Sequence, residues 1–518
     1  MPLADWFLSA EERGNDATVL DDRHRPGEAW SNGNLVRPLI HGATYFTALI
    51  EAVEQMRASD VLMFVDWRGD PDERLTGPPA SEVTRVLSRA AARGVVVRGL
   101  IWRSHWDKLA FSATENRHLG EEINEAGGCC LLDMRVRTGG SHHQKFVVLR
   151  HPGRVELDTA FVGGIDLCHS RRDDADHHGD PQRQPMAKVY GERPPWHDVQ
   201  LHITGPAVAD VETVFRERWD DPQPLSRDPV HMLADRVRGD DHKRAPLPPP
   251  LPPPAPTGPH SVQLLRTYGR RVGGYPFAPQ GERSVARGYL KALGRARELI
   301  YVEDQYLWSR DVGRRIANAL RANRRLHLIA VVPHHPDQDG SVSLPPNIVG
   351  RQLALSVIRA AAPERVAVYG IENHAGTPVY VHAKVCIIDD LWASVGSDNF
   401  NRRSWTHDSE LTAAVWDTRS GREGCYAREF RMALAGEHLD SETPPSDAEA
   451  MCEAFARSAS ALQQWHDSDR VGRRPPGRLR PLADPFMPLS TRLWAEPLYR
   501  KVLDPDARPL SWRLRGTY

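Results

Sequence analysis

Two copies of His-x-Lys invite chemistry, His143-Gln144-Lys145 and His382-Ala383-Lys384, and the chain contains no third. Each opens an apolar run, Phe146–Leu149 and Val385–Ile388, of the kind that forms a buried strand. With 23 histidines but only seven lysines, arginine supplying the remaining basic residues, a chance His-x-Lys should occur well under once. Residues two apart on a strand share a face, so His143 pairs with Lys145 and His382 with Lys384. A neutral imidazole is a competent nucleophile near neutral pH, and a protonated one can donate to a leaving oxygen. Two ammonium groups can balance charge building on the non-bridging oxygens of a phosphodiester. The expected chemistry is cleavage or transfer of a phosphodiester through a covalent phosphohistidine, with no metal or other cofactor.

Each motif strand is followed by a second apolar stretch that ends in a small-residue turn. These are Ala160-Phe161-Val162-Gly163-Gly164-Ile165-Asp166 and Ala393-Ser394-Val395-Gly396-Ser397-Asp398-Asn399. Gly163, Gly164 and Gly396 are expected to let backbone amides approach an anion, and Ser397 and Asn399 to supply neutral donors. Acids lie beyond each turn, Asp173 in one case and Asp408 and Glu410 in the other, and one of each could fix a histidine tautomer. Glu303 and Gln305 end a predicted strand near the site and are candidates to line it. Trp308 and Trp405 are candidates for a cleft border or for the core. Asp176-His177-His178 and His334-His335 lack the spacing of a coordination set and read as solvated loop residues.

Two similar frames must carry the motifs. In the first half the periodicity predicts helices over 44–57 and 81–93 and strands over 61–67 and 95–102. The second half predicts helices over 285–297, 311–322 and 348–361 and strands over 299–303, 326–332 and 365–369. Such alternation with short connections implies an α/β sheet in each half. The proline-rich stretch 245–259 divides them as a semi-rigid spacer, and the charged segment 220–244 before it reads as loop. The expected divisions are an N-terminal segment (1–35), a first half (36–220), a linker (221–261), a second half (262–440) and an extension (441–518). The tail beyond 436, rich in proline and arginine, is expected to wrap the surface.

The 518 residues are too many for one ordinary domain, and 40% apolar with 26% charged residues is a globular composition. The 67 basic and 68 acidic residues cancel, so no global field draws the chain to nucleic acid, and no stable nucleic-acid partner is expected. No apolar run approaches the roughly 18 residues of a transmembrane helix, and the N-terminus has no signal-peptide character. Six cysteines are too few for a disulfide framework at this length. The expectation is a reduced, cytoplasmic monomer that meets a membrane peripherally at most.

The paired motifs resemble those of the phospholipase D superfamily, His-x-Lys-x4-Asp in each half. The resemblance spans about residues 35–434. It includes Phe161-Val162-Gly163-Gly164-Ile165-Asp166-Leu167, Pro195-Trp196-His197-Asp198-Val199, Gly205-Pro206-Ala207, Tyr301-Val302-Glu303-Asp304-Gln305-Tyr306 and Asp408-Ser409-Glu410-Leu411. It implies a bilobal α/β fold with the active site between two similar halves, and hydrolysis or headgroup exchange on phospholipid substrates. His143 and His382 would be the catalytic pair, with His143 the nucleophile and His382 the general acid. Lys145, Lys384 and Asn399 would hold phosphate, with Asp166 in the matching place of the first half. Asp173 and Glu410 would back the histidines. Other phosphodiesterases (a nuclease or a cardiolipin-synthase-like transferase) and a non-catalytic lipid-binding relative are the competing expectations. Asp389 completes the second motif, whereas Arg150 stands where the first would have aspartate, and a new ion-pair partner is expected for it. Asp304 stands where the family has asparagine, a change that could bear on substrate choice.

Overall fold

The computed structural model describes residues 2–104, 113–238, 243–419, 425–483 and 485–518. Strands of the first half are β1 (Ser31–Ile40), β2 (Val61–Asp66), β3 (Val96–Trp102), β4 (Cys129–Asp133), β5 (Phe146–Arg150), β6 (Thr159–Gly163), β7 (Trp196–His197) and β8 (Val199–Thr204). Those of the second are β9 (His260–Tyr268), β10 (Glu282–Arg283), β11 (Leu299–Asp304), β12 (His327–Val331), β13 (Val366–Glu372), β14 (Pro378–Val381), β15 (Lys384–Ile388), β16 (Trp392–Gly396) and β17 (Ser409–Asp417). A last strand, β18 (Leu479–Pro481), comes from the tail and pairs with β13.

One order occurs twice. The first sheet runs β4-β3-β2-β5-β6-β8-β1. The second runs β13-β12-β11-β15-β16-β17-β9. In both, the first three strands are parallel and the rest antiparallel, and β1 pairs with β9 to join the two. The parallel strands require helical crossovers, supplied by Val83–Ala92 and Ala113–Glu125 in one half and Arg310–Ala322 and Leu344–Ala361 in the other. The expected bilobal α/β architecture with similar halves is the observed one.

Alternation along a strand splits each sheet between two helical layers. Val61, Met63 and Val65 of β2 face a central core that runs across both halves, while Leu62 and Phe64 face the outer helices. Leu299 and Tyr301 of β11 join that same central core, and Ile300 and Val302 face outward.

Two expectations change. The segment before the proline-rich stretch contains a helix, Pro229–Arg238, although residues 239–242 lie outside the described residues. The tail is no mere wrapping: the helix Ala448–Asp467 buries Met451, Phe455, Ala459 and Leu462. That near-helical spacing precedes the arginine- and proline-rich composition, which begins only after it.

Arg150 ends β5 and Asp389 directly follows the equivalent strand β15, and the two solve the same problem differently. The Asp389 carboxylate accepts the amides of Arg297 (2.7 Å), Glu298 (2.8 Å) and Leu299 (2.9 Å), fixing the entry to β11. Arg150, fully buried, is paired with Asp158 at 3.0 Å and Glu212 at 2.5 Å and donates to the Pro252 carbonyl at 2.6 Å. The expected ion-pair partners are therefore two, and the same guanidinium holds the proline-rich stretch, which carries no helix or strand. Arg150→Ala takes a shared buried cation from Asp158 and Glu212, with Arg216 remaining beside Glu212, and should destabilise the fold by about 3–5 kcal/mol. Urea denaturation of the full chain reads this as a lowered midpoint. Restoring aspartate there should destabilise at least as much.

Candidate active site

The turns and motif strands meet where the halves cross. β5 begins at Phe146, so His143 and Lys145 sit in an extended lead-in rather than in the strand; in the second half Lys384 is the first strand residue. Each lead-in pairs with the opposite half. The His143 amide donates to the Ser409 carbonyl (2.9 Å) and the Ser409 amide to Ser141 (3.0 Å). In mirror fashion the His382 amide donates to His197 (2.8 Å) and the Tyr380 amide to Pro195 (2.8 Å). β14 pairs in parallel with β7 to continue this seam.

The side chains cross as well. His143 Nδ1 meets Glu410 Oε2 at 2.9 Å, and His382 Nδ1 meets Asp198 Oδ2 at 2.6 Å. Each histidine is thus held by an acid of the other half, which fixes Nδ1–H and leaves Nε2 as the free ring nitrogen. Asp173 does not do this. Its carboxylate accepts the Trp196 amide at 2.7 Å and the Gly179 amide at 3.1 Å and lies beside His177. Asp198 holds the place that Asp173 was expected to fill. The signal was internal repetition: the Gly164 amide donates to Val199 as the Ser397 amide does to Leu411, which aligns Asp198 with Glu410.

Lys145 Nζ donates to the His143 carbonyl (2.9 Å) and lies 3.4 Å from Asp166. Lys384 Nζ donates to the His382 carbonyl and to Gln305 Oε1 (3.2 Å). Both ammonium groups are buried. Asp66 and Asp304 are equivalent and serve as braces. Asp66 accepts the Leu167 amide at 2.8 Å, and Asp304 accepts Phe400 and Tyr306 at 2.8 Å and Leu307 at 2.5 Å. The buried Asp304 carboxyl, pushed up to about 6 by burial, therefore holds the turn carrying Asn399. Its departure from the family residue falls on that brace.

The glycines play another part than expected. The amides of Gly163, Gly164 and Ser397 already donate to carbonyls of Lys145, Val199 and Leu411, so none is free for an anion. A Cβ on Gly164 would lie 2.3 Å from the Asp198 carboxylate, and one on Gly396 would lie 2.0 Å from Thr412 Oγ1. Glycine is needed there for close packing against the strand that presents the acid. Ser397 spends its hydroxyl on Glu410 at 2.6 Å. Asn399 stays uncommitted, with a buried side-chain oxygen that finds no partner, whereas Asp166 is tied to Lys145 and Arg171.

Arg171, absent from the expected site, stacks 3.9 Å from the Trp196 ring, which packs 5.0 Å from the His382 ring. Burial pulls the His382 imidazole well below its ordinary pKa, and the nearby Lys384 and Arg171 charges add to the effect. The Lys145 charge of the first half acts in the same direction. Burial also draws Lys384 down to about 8, with Lys145 adding to it against the opposing pull of Asp198. Activity of the free protein, read as kcat/KM, should fall as pH rises through about 8, where Lys384 loses its proton. Lys384→Arg, which stays charged, should lose that limb from a pH–rate profile.

Trp308 borders a small cleft with Gln305, Tyr306, His335, Arg351 and Tyr380, reaching Lys384 through Gln305. Trp405 is core, stacked on Tyr289. His177 is fully buried, contrary to its reading as a solvated residue, while His178 is exposed.

The structure is thus a repeated α/β half in which each copy presents one His–Lys couple and one acid that crosses to the other copy. Residues 121–243 match the family model described as Phospholipase D, and residues 289–431 match Cardiolipin synthase, PLD-like domain, each segment holding one motif. The chain belongs to the phospholipase D superfamily of phosphodiesterases and phosphatidyltransferases. Phospholipase D alpha 1 of Cynara cardunculus is 26% identical over 614 aligned residues, which cover 92% of this chain and 74% of that protein. Phospholipase D alpha 2 of Oryza sativa subsp. japonica is 27% identical, over 77% of this chain and 64% of its own length. The crystal structure of a phosphatidylserine synthase from Haemophilus influenzae Rd KW20 superposes with a TM-score of 0.50 at 16% identity, over 74% of this chain and 82% of that one, and shows a shared fold. No helix among the described residues is long and apolar enough to cross a membrane.

Proposed function

We propose that this phosphodiesterase hydrolyses or exchanges the headgroup of glycerophospholipids through a phosphohistidine. The observation that carries the reading is the crossing of His143 to Glu410 and of His382 to Asp198 at one seam, with both buried lysines beside them. His143 Nε2 attacks phosphorus, and His382 donates a proton to the leaving oxygen. Lys145, Lys384 and Asn399 hold the non-bridging oxygens. His382 is neutral in the free site because burial, with the Lys384, Arg171 and Lys145 charges adding to it, disfavours the imidazolium, and the negative phosphodiester offsets those cations and raises its proton affinity. In the second half-reaction His382 deprotonates water or an alcohol, which displaces His143 from phosphorus.

Membrane contact in this reading is peripheral. The C-terminal segment exposes Phe486, Leu489, Leu493 and Leu514 among the arginines Arg492 and Arg515, a composition suited to an anionic lipid surface. The test is incubation of purified protein with phosphatidylcholine vesicles and a primary alcohol, and separately with single-stranded DNA. The reading expects the phosphatidyl-alcohol product and intact DNA. Cleaved DNA with untouched lipid would replace it with a nuclease.

A further inference from the structure

We propose that His41, His177, His197 and Glu437 form a structural metal centre behind the phosphoryl site, with a zinc-class ion as its occupant. One donor atom from each of the four residues falls within 4.8 Å of the others. His41 Nε2 lies 2.7 Å and His177 Nε2 3.0 Å from the Glu437 carboxylate, and His197 Nδ1 lies 3.5 Å from it. The three rings stand edge to face, with centroids 4.9 to 5.8 Å apart. All three histidines are buried.

Hydrogen bonding alone leaves this cluster unfinished. The two Glu437 oxygens satisfy one nitrogen each of His41 and His177, but His197 Nδ1 is buried with no hydrogen-bond partner. Burying an imidazole nitrogen unsatisfied costs free energy that an ion at the common centre would recover. The backbone is strained at the same place: His41 (φ 70°, ψ 152°) and His177 (φ 55°) both take a positive φ that side chains rarely adopt.

The outer contacts fit a metal as well. His197 directs its other nitrogen, Nε2, at Glu303 (2.6 Å), and Glu303 is itself fixed by Tyr301 (2.6 Å) and His438 (2.7 Å). His177 Nδ1 lies 3.6 Å from Asp173. A carboxylate behind a ligating imidazole is the usual device for fixing its orientation and basicity. This gives Asp173 a place: it braces a ligand of the second cluster rather than a histidine of the first. Three imidazoles and one carboxylate suit a tetrahedral late first-row ion, whereas calcium and magnesium require mostly oxygen donors.

Such an ion would staple the halves. His41, His177 and His197 belong to the first, and Glu437 to the helix Tyr426–Leu439 of the second. The His197 carbonyl accepts the His382 amide, and the next residue, Asp198, holds the His382 ring, so the centre would fix the segment that positions that histidine.

The test uses the full chain, stripped with a chelator and then titrated with zinc, and in parallel with cobalt. About one zinc per chain and the intense visible absorption of tetrahedral cobalt are expected, with a higher Tm in the loaded form. His177→Ala and the near-isosteric Glu437→Gln, each checked for native circular dichroism, should lose zinc binding, while His334→Ala should keep it. Substoichiometric zinc on the stripped wild type would overturn the proposal, as would full binding retained in folded Glu437→Gln or His177→Ala.

Discussion

His143→Ala and His382→Ala should each lower turnover of phosphatidylcholine by at least about a thousandfold, because one removes the attacking nitrogen and the other the proton donor. What remains would come from Lys145, Lys384 and Asn399, which still hold the phosphate without a nucleophile or an acid. The double variant should be little worse than either single one, since residues acting in one sequence of steps do not add. Folding should survive His143→Ala, whose ring is at the mouth of the site with a side chain 15% exposed. Initial rates of phosphatidyl-alcohol formation, with circular dichroism as the folding control, give the answer. Two near-wild-type singles would mean that the histidines do not share a reaction.

Asp198→Asn should cost about two to four orders of magnitude in kcat, since an amide at that position no longer fixes the His382 tautomer or stabilises its protonated form. The pair is close, 2.6 Å, and fully buried on the carboxylate side, so water cannot substitute. Glu410→Gln should act likewise on His143, with a milder loss because Ser397 remains as a partner of the substituted group. Asp173→Asn is the contrasting control. Its carboxylate organises the Trp196 amide and His177, so its replacement should lower stability more than rate. A rate loss for Asp173→Asn equal to that for Asp198→Asn would reverse the assignment.

The fold was legible because its repetition is written locally. Alternating helix and strand patterns predicted elements in both halves, and the helices over 83–92 and 310–322 and the strands β2, β3, β11 and β12 fall within a few residues of expectation. The paired His-x-Lys motifs were legible for the same reason, since type and spacing sit in three consecutive residues. The acids were harder. Glu410, 267 residues from His143, lay in a recognisable turn-and-acid pattern, whereas Asp198, 184 residues from His382, stands just before β8 with no such pattern around it. Aligning the two halves strand for strand would have found it, whereas proximity to the first turn pointed to Asp173.

The glycines misled because glycine serves two purposes with one residue type: it frees an amide for an anion, or it lets a neighbouring strand come close. The turn residues alone cannot separate these, and the carbonyls of Val199 and Leu411 decide for the second. The buried His and Glu cluster was invisible for the opposite reason. His41 and Glu437 are separated by 396 residues, so no local spacing records their meeting.

The most direct measurement is to quench the wild-type protein in the midst of phospholipid turnover and map the phosphoryl adduct by peptide mass spectrometry. A phosphatidyl group on His143, absent from His143→Ala, is the expected result. Turnover with no adduct on either His143 or His382 would contradict a phosphohistidine, and an adduct on His382 alone would reverse the roles assigned to the two rings.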